Sequence, residues 1–277
     1  MALVEMKKLR ETQLLELKLL KKIKEICESE NICYYLVGGT ALGAVRHRGF
    51  IPWDDDVNVA MPRKDYEKFI RVAPKYLDKG QRVLHYSLVR SYFDCSMKLV
   101  DTNTSYIMKT NNGIKKQHIW VDIFPIDGSA ESSMGNKIHY LRVYFLRMLI
   151  AVYNLNTIQF NPSRAKWKRI IIAVAKRIPV KRLINPRRIN KRIDRLLTKY
   201  PTCKSKRIGN FLGAYQEKEL VPNDYFGNGV VWTFEDDQFK IPSKYNLYLT
   251  HIYGDYMKLP PKEKQIPRHS VIDIIYK

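Results

Sequence analysis

Residues 37–61 read VGGTALGAVRHRGFIPWDDDVNVAM. The glycine pair Gly38-Gly39 follows a short apolar and aromatic run, Cys33–Val37, which predicts a buried strand. Glycines at such a turn let a phosphate approach the backbone, and the N–H groups opening a helix can hold it. Thr40 is placed to cap that helix, expected from Ala41 to about Arg46. A second strand is expected over Asp54–Met61. Side chains alternate across a strand, so Asp54, Asp56 and Asn58 fall on one face. Carboxylates stacked there repel one another unless a cation sits among them, and hard oxygen donors suit Mg²⁺, or Mn²⁺ in its place. An exposed acidic loop is the competing reading of three consecutive aspartates, and the upstream glycine turn weighs against it.

Working outward, Val4, Leu9, Leu15, Leu19, Ile23 and Ile26 recur at helical spacing and predict one amphipathic helix over residues 3–29. After Pro62-Arg63 a helix is expected over 64–76, then strand-like pieces at 82–87, 96–100, 105–109 and 118–124. A third carboxylate should come from a neighbouring strand. Asp122, in HIWVDIFPID, is the first choice, because an unpaired ionised Asp in an apolar run is costly. Asp127 is the second, although Asp127-Gly128 also reads as a turn. His118 reads as structural. This order of elements predicts an α/β core over residues 1–135, near the commonest domain size.

Residues 136–208 read differently. A helix is expected from 137 to about 155, and residues 164–207 then carry 17 Lys or Arg against a single acid, Asp194. Apolar residues recur there at helical intervals, with Pro179 and Pro186 as breaks. Residues 209–277, rich in aromatics, Gly and Pro, predict short strands and turns folded back on the core, with His251 packed among them.

The formal net charge of +22 calls for an anionic partner. The four cysteines form no CxxC pair and no zinc spacing, which suits reduced thiols in a cytoplasmic protein. The N-terminus lacks the pattern of a signal peptide. No apolar run reaches the ~20 residues that span a bilayer; the nearest, Tyr140–Tyr153, is broken by Arg142 and Arg147. The basic stretch fits best as an interfacial element on an anionic membrane surface, which places the protein peripherally at the inner face of the membrane. A nucleic-acid site is disfavoured because no recognition motif accompanies the charge, and a merely solvated face is the third reading.

The segment GGTALGAVRHRGFIPWDDDVNVAMPRKDYEKF resembles the signature of LicD-family phosphotransferases, relatives of the fukutin-type proteins in the nucleotidyltransferase superfamily. WVDIFPIDG is similar to the family's second acidic segment, and YNLYLTHIYGDYMKLPP followed by His269 to its C-terminal signature. The resemblance implies a polymerase-beta-like α/β (α+β) core, a mixed sheet with flanking helices. It also implies transfer of phosphocholine or another phospho-alcohol from a CDP-linked donor, CDP-choline first, to a sugar hydroxyl of a lipid-linked glycan or teichoic-acid precursor. Carried over, Gly38, Gly39 and Thr40 would hold donor phosphate and Arg46 would pair with the diphosphate. Asp54, Asp56, Asn58 and Asp122 would hold metal, with the three aspartates as the catalytic set. His47, Trp53, Asp255 and His269 are candidate substrate contacts. Trp53, Trp120 and Trp232 offer material for a cage around a quaternary ammonium, though such aromatics also pack cores.

Asn58 departs from the family's D-h-D strand. Its amide oxygen ligates a cation but brings no charge and cannot act as a base. That departure leaves four readings open: a weaker hold on one metal, a compensating role for Asp54, a catalytically impaired binding protein, or an engineered substitution; a nucleotidyltransferase acting on nucleic acid is the remaining alternative function.

Overall fold

The computed structural model describes residues 3–110, 113–153, 184–213, 215–267 and 270–276. Residues 164–183 of the basic stretch, and His269, lie outside the described residues. Helix α1 runs Leu3–Ser29 and buries Leu9, Leu19, Leu20, Ile23 and Ile26, the stripe that helical periodicity demands.

Strand β1 is only Tyr35–Leu36, shorter than expected, and pairs antiparallel with β2, Asn58–Pro62. Thus β2 starts at Asn58 and not at Asp54, because the chain turns back there, with the Asp54 N–H donating to Ile51 O at 2.9 Å. Helix α2, Gly38–His47, begins at the glycine pair instead of after it. Gly38 has φ of 56°, a left-handed conformation that costs glycine nothing. Thr40 therefore sits inside the first turn and caps nothing; its buried hydroxyl accepts the Asn58 N–H at 2.8 Å.

Helix α3, Arg63–Val72, and a 3-10 turn, Ala73–Lys75, lead to β3, Gln81–Leu84. The pieces expected at 96–100 and 105–109 are one strand, β4, Met97–Thr110. Its pairing with β5, Gly113–Gly128, shifts register between Asp101 and Tyr106. Thr104 fills that irregularity: its hydroxyl donates to Asp101 O at 2.8 Å and accepts the Ile119 N–H at 3.3 Å. His118 Nδ1 lies 2.7 Å from the Thr104 carbonyl, a structural contact.

The main sheet is mixed. β2 and β5 run parallel, while β4 is antiparallel to β5, to β3 and to β10, Ser270–Tyr276. Two short strands, β6 (Arg207–Gly209) and β7 (Val221–Pro222), extend it from the end of β5. Asp127 and Gly128 belong to β5, so they are not a turn. Asp127 is buried and bound to Arg63 by two hydrogen bonds of 2.5 and 2.7 Å.

Helix α4, Ser133–Tyr153, packs on α5, Pro186–Leu197. Val143, Leu146 and Ile150 meet Ile193, Leu197, Phe211 and Leu212 in a cluster separate from the main core. The C-terminal segment holds a hairpin, β8 (Val230–Phe234) and β9 (Asp237–Ile241). It also holds a helix where strands and turns were expected, α6, Tyr245–Tyr253. Tyr248, Leu249 and Ile252 are buried on it, whereas His251 is exposed and not packed. Glu235, in the hairpin turn, accepts two hydrogen bonds from Arg10, at 3.0 and 2.5 Å, and one from the Phe50 N–H at 3.0 Å. One side chain thereby ties α1, the hairpin and the loop that precedes the aspartates.

Candidate active site

The first turn of α2, the approach to β2, and the middle of β5 meet at one cavity of ≈ 600 Å³. Gly38, Gly39, Asp54, Asp56, Asn58 and Asp122 all line it, together with Phe124, Arg147, Tyr215, Glu219 and Tyr248. Burial alternates from Asp54 to Asn58 even before the strand begins: Asp55 and Val57 are fully buried, whereas Asp54, Asp56 and Asn58 are not. The parallel register sets Asn58 beside Asp122, and the antiparallel register sets Lys98 on the other side of Asp122. The three form a row across β2, β5 and β4. Cross-strand neighbours on one face lie within reach of each other, and Lys98 Nζ is 3.4 Å from Asp122 Oδ1. The indole N–H of Trp120 donates to Asp122 Oδ2 at 2.7 Å, and the Lys98 ammonium sits 4.6 Å from the Trp120 ring centroid.

Burial, then the charges of Asp56 and Asp55, push the Asp54 carboxyl up to about 8, and Asp54 hydrogen-bonds Asp56. The same charges act on Glu16 of α1, which is fully buried beneath them. Burial first, and Asp56, Asp55, Asp54 and Asp122 after it, raise the Glu16 carboxyl well above the usual range. Neither of its oxygens has a hydrogen-bond partner among the described residues. Gln13, one turn earlier, holds the Asp54 carbonyl at 2.9 Å.

Among the described residues no three His, Cys, Asp or Glu side chains already stand close enough to share an ion. Asp122 is instead engaged by Lys98 and Trp120. The donor chemistry nevertheless fits a hard divalent cation: hard oxygen donors only, from Asp54, Asp56, Asn58 and Asp122, with two carboxylates sharing a hydrogen bond that a cation would replace.

The expected phosphate-binding residues divide. Gly39 faces the cavity, and a Cβ there would stand 2.7 Å from Asp54 Oδ2. The Gly38 N–H already donates to the Tyr248 hydroxyl at 3.2 Å. Thr40 turns its hydroxyl to β2. Arg46 lines an adjoining cavity of ≈ 350 Å³, walled also by Trp53, Tyr215, Tyr253, Tyr256, Asp255 and Lys258. Gly39, Asp54 and Tyr215 belong to both cavities. Arg46 donates to Tyr256 O at 2.8 Å and to His47 Nε2 at 2.9 Å; burial and that guanidinium lower the His47 pKa. Trp53 meets His47 edge to face. Trp232 is committed elsewhere, its N–H donating to Ala44 O at 3.0 Å.

The family described as LicD/FKTN/FKRP, nucleotidyltransferase domain, matches residues 31–166, which include every residue of the row from Gly38 to Asp122. Lipopolysaccharide cholinephosphotransferase LicD of Haemophilus influenzae is 32% identical over 278 residues, covering 94% of this chain and 96% of that protein. The chain belongs to the LicD family. An uncharacterised protein of Rickettsia typhi is 32% identical over 116 residues, 42% of this chain and 35% of its own length. Asn58, where an aspartate was expected, stands in the row beside Asp122.

Sequence reading missed Lys98, Arg147, Tyr215, Glu219 and Tyr248. Period-2 alternation in β4 carries no information about which strand it pairs with, and Arg147 sits in a helix whose pattern is apolar. Glu219, which burial pushes up to about 7, lies in a segment with no periodicity.

The Asp54 shift has a measurable sign. Because its carboxyl is raised from 3.8 to about 8, the folded protein keeps a proton that the unfolded chain releases. This group's contribution to stability therefore falls as pH rises between those values. A divalent cation held at these carboxylates would have to displace that proton, so any melting temperature gained on adding Mg²⁺ would be larger at about pH 9 than at about pH 6. Thermal denaturation of wild type and Asp54→Asn checks this; equal Mg²⁺ shifts at both pH values, or an unchanged pH dependence in the variant, would count against it.

Proposed function

We propose that this protein transfers phosphocholine from CDP-choline to a sugar hydroxyl of a lipid-linked cell-surface glycan, using a nucleotidyltransferase-like core. The observation that carries this reading is the convergence of Asp54, Asp56, Asn58 and Asp122 with Gly39 on one cavity, in a chain that covers 96% of a protein named for choline-phosphate transfer to lipopolysaccharide. A bound Mg²⁺ or Mn²⁺ would neutralise phosphate charge and hold the phosphate in line for attack. Asp54, Asp56, Asn58 and Asp122 are the residues that would hold it.

With the Gly38 N–H taken by the Tyr248 hydroxyl, the Gly39 N–H in the first turn of α2 is the group that suits the donor's diphosphate. Arg46 borders the adjoining cavity, whose wall of Trp53, Tyr253 and Tyr256, with Asp255, suits a trimethylammonium group. In the reaction the acceptor oxygen forms a bond to the choline-bearing phosphorus and CMP departs. The hydroxyl proton goes to a carboxylate. Glu219 is matched to that task, since burial pushes it up to about 7. The anionic inner face of the membrane is the surface on which the acceptor would be met, with the positive charge of residues 164–207 to attract it.

The test is CMP release from a panel of CDP-alcohols, with membrane glycolipid as acceptor, with and without EDTA. Metal-dependent release from CDP-choline supports the reading. Asn58→Asp is expected to tighten divalent-cation binding about tenfold, by adding a charged ligand. The pH–rate profile is expected to lose its fall on the acid side in Glu219→Gln. No release from any donor, by wild type or by Asn58→Asp, would remove the transferase reading and leave a binding protein.

A further inference from the structure

Helix α4 is apolar on two faces. Its inner face, Val143, Leu146 and Ile150, is buried against α5. Its outer face carries Met134, Ile138, Leu141, Tyr144, Phe145 and Met148, each between 45 and 66% exposed. Steps of three and four residues place these side chains in one stripe, about 20 Å long at the helical rise. A contiguous apolar stripe of this length is unusual on a monomer and marks a contact surface.

The surroundings choose the occupant. Helix α4 contains no Asp or Glu; Arg142 borders the stripe and Lys137 lies within it near its N-terminal end, both exposed. The adjoining α5 exposes Arg188, Lys191, Arg192 and Arg195. Two copies meeting through this face would bring like charges together, and a nucleic acid would leave the apolar residues without a matching apolar surface. An anionic bilayer satisfies both features at once: acyl chains take the apolar stripe and lipid phosphates take the cations. The α4 helix cannot cross a bilayer, since no helix among the described residues is long and apolar enough; it would lie in the interface. Meanwhile Arg147 of the same helix lines the acidic cavity. A lipid-linked sugar rising from the bilayer would thus enter beside the helix that touches the lipid.

We infer that the outer face of α4 is the membrane-inserting surface of this protein, seating the active-site cavity on an anionic bilayer. This rests on the proposed membrane reading but moves the apolar contact to α4, ahead of the basic stretch.

The experiment is sedimentation with vesicles of phosphatidylglycerol and phosphatidylethanolamine, using the full chain. Leu141→Glu with Phe145→Glu is expected to weaken vesicle binding at least about tenfold. Its melting temperature, and its CMP release with a water-soluble sugar acceptor, should match wild type. Phe145→Trp, which needs no loss of function, should add an indole emission that shifts to the blue on the same vesicles and is quenched by brominated lipid. Unchanged binding by the double variant, or no shift in the emission that Phe145→Trp adds over wild type, overturns the inference. So does a large drop in melting temperature, or a dimer that the double variant dissociates, because either shows the stripe covered by protein. Replacing Lys166, Lys168 and Arg169 with Ser separates the two ideas: binding lost there but kept in the double variant leaves a membrane protein whose contact is not α4. Wild type that binds no vesicle removes both.

Discussion

Asp56→Ala is expected to lower phosphocholine transfer by on the order of 10³-fold or more, because a metal-held phosphate is worth several kcal/mol of transition-state stabilisation. Asp56 lines the cavity beside Asn58 and Asp122, and Asn58 brings no charge to compensate for its loss. The variant should not melt earlier than wild type without metal. After burial, the Asp56 charge is the largest cause of the raised values of both Asp54 and Glu16. Removing it relieves repulsion among buried carboxylates, so the folded state loses a cost. Steady-state CMP release and thermal denaturation, run on one preparation, separate the two effects. Near-normal turnover would sink the assignment of the site. Lost turnover with a collapsed melting temperature would place Asp56 in the architecture and not in the chemistry.

Arg63→Ala should do the opposite, costing about 3–5 kcal/mol of stability while leaving transfer at low temperature within a few-fold. The guanidinium binds Asp127 through both of its oxygens, at 2.7 and 2.5 Å, and reaches Asp194 of α5 at 3.4 Å. The Arg63 and Asp127 side chains are 12 and 2% exposed. Asp194 also receives the Tyr86 hydroxyl. Burial raises the Asp127 carboxyl even against Arg63, whereas Asp127 raises the Arg63 value. The two shifts disagree about who gains, and the two-point geometry decides for an ion pair. Removing Arg63 strands a buried carboxylate and unpins α3 from β5 and α5. At ~2–4 °C per kcal/mol for a chain of this class, melting should fall by roughly 6 to 20 °C. Arg63→Met with Asp127→Leu should cost less than the two single changes together, because the buried charges leave as a pair. Urea denaturation of Arg63→Ala, of Arg63→Met and Asp127→Leu singly, and of the double variant checks this. A loss below about 1 kcal/mol in Arg63→Ala, or full additivity, would show that the pair carries little.

The acidic row was legible in part. An extended chain alternates its side chains, so Asp54, Asp56 and Asn58 share one face although only Asn58 belongs to β2, and a lone Asp in the apolar run around Asp122 demands a partner. Both follow from local geometry and from the cost of burying charge. That Asn58 lies beside Asp122, and Lys98 beyond it, depends on strand register, which is a choice between distant segments. Lys98 looks like any strand lysine until β4 is set against β5.

Thr40 shows the limit from the other side. Its type and place suit a cap, but Gly38 lets the helix start sooner, and the Thr40 hydroxyl goes to β2. Helix α6 was hidden because aromatics favour strands locally, whereas burial of Tyr248, Leu249 and Ile252 rewards a helical face. The Tyr248 hydroxyl then takes the Gly38 N–H that the glycine turn alone offers to a phosphate. In α4 both faces are apolar, so periodicity could not say which one meets protein.

The sequence by itself determined the glycine turn, the alternating acids, the excess of cations and membership in the LicD family, all properties carried by neighbours along the chain. Only the tertiary structure decided which acid faces which strand, that Arg63 claims Asp127, and which side of α4 is left exposed among the described residues. Those outcomes depend on competition among distant segments for a limited buried surface, and no local pattern records who wins.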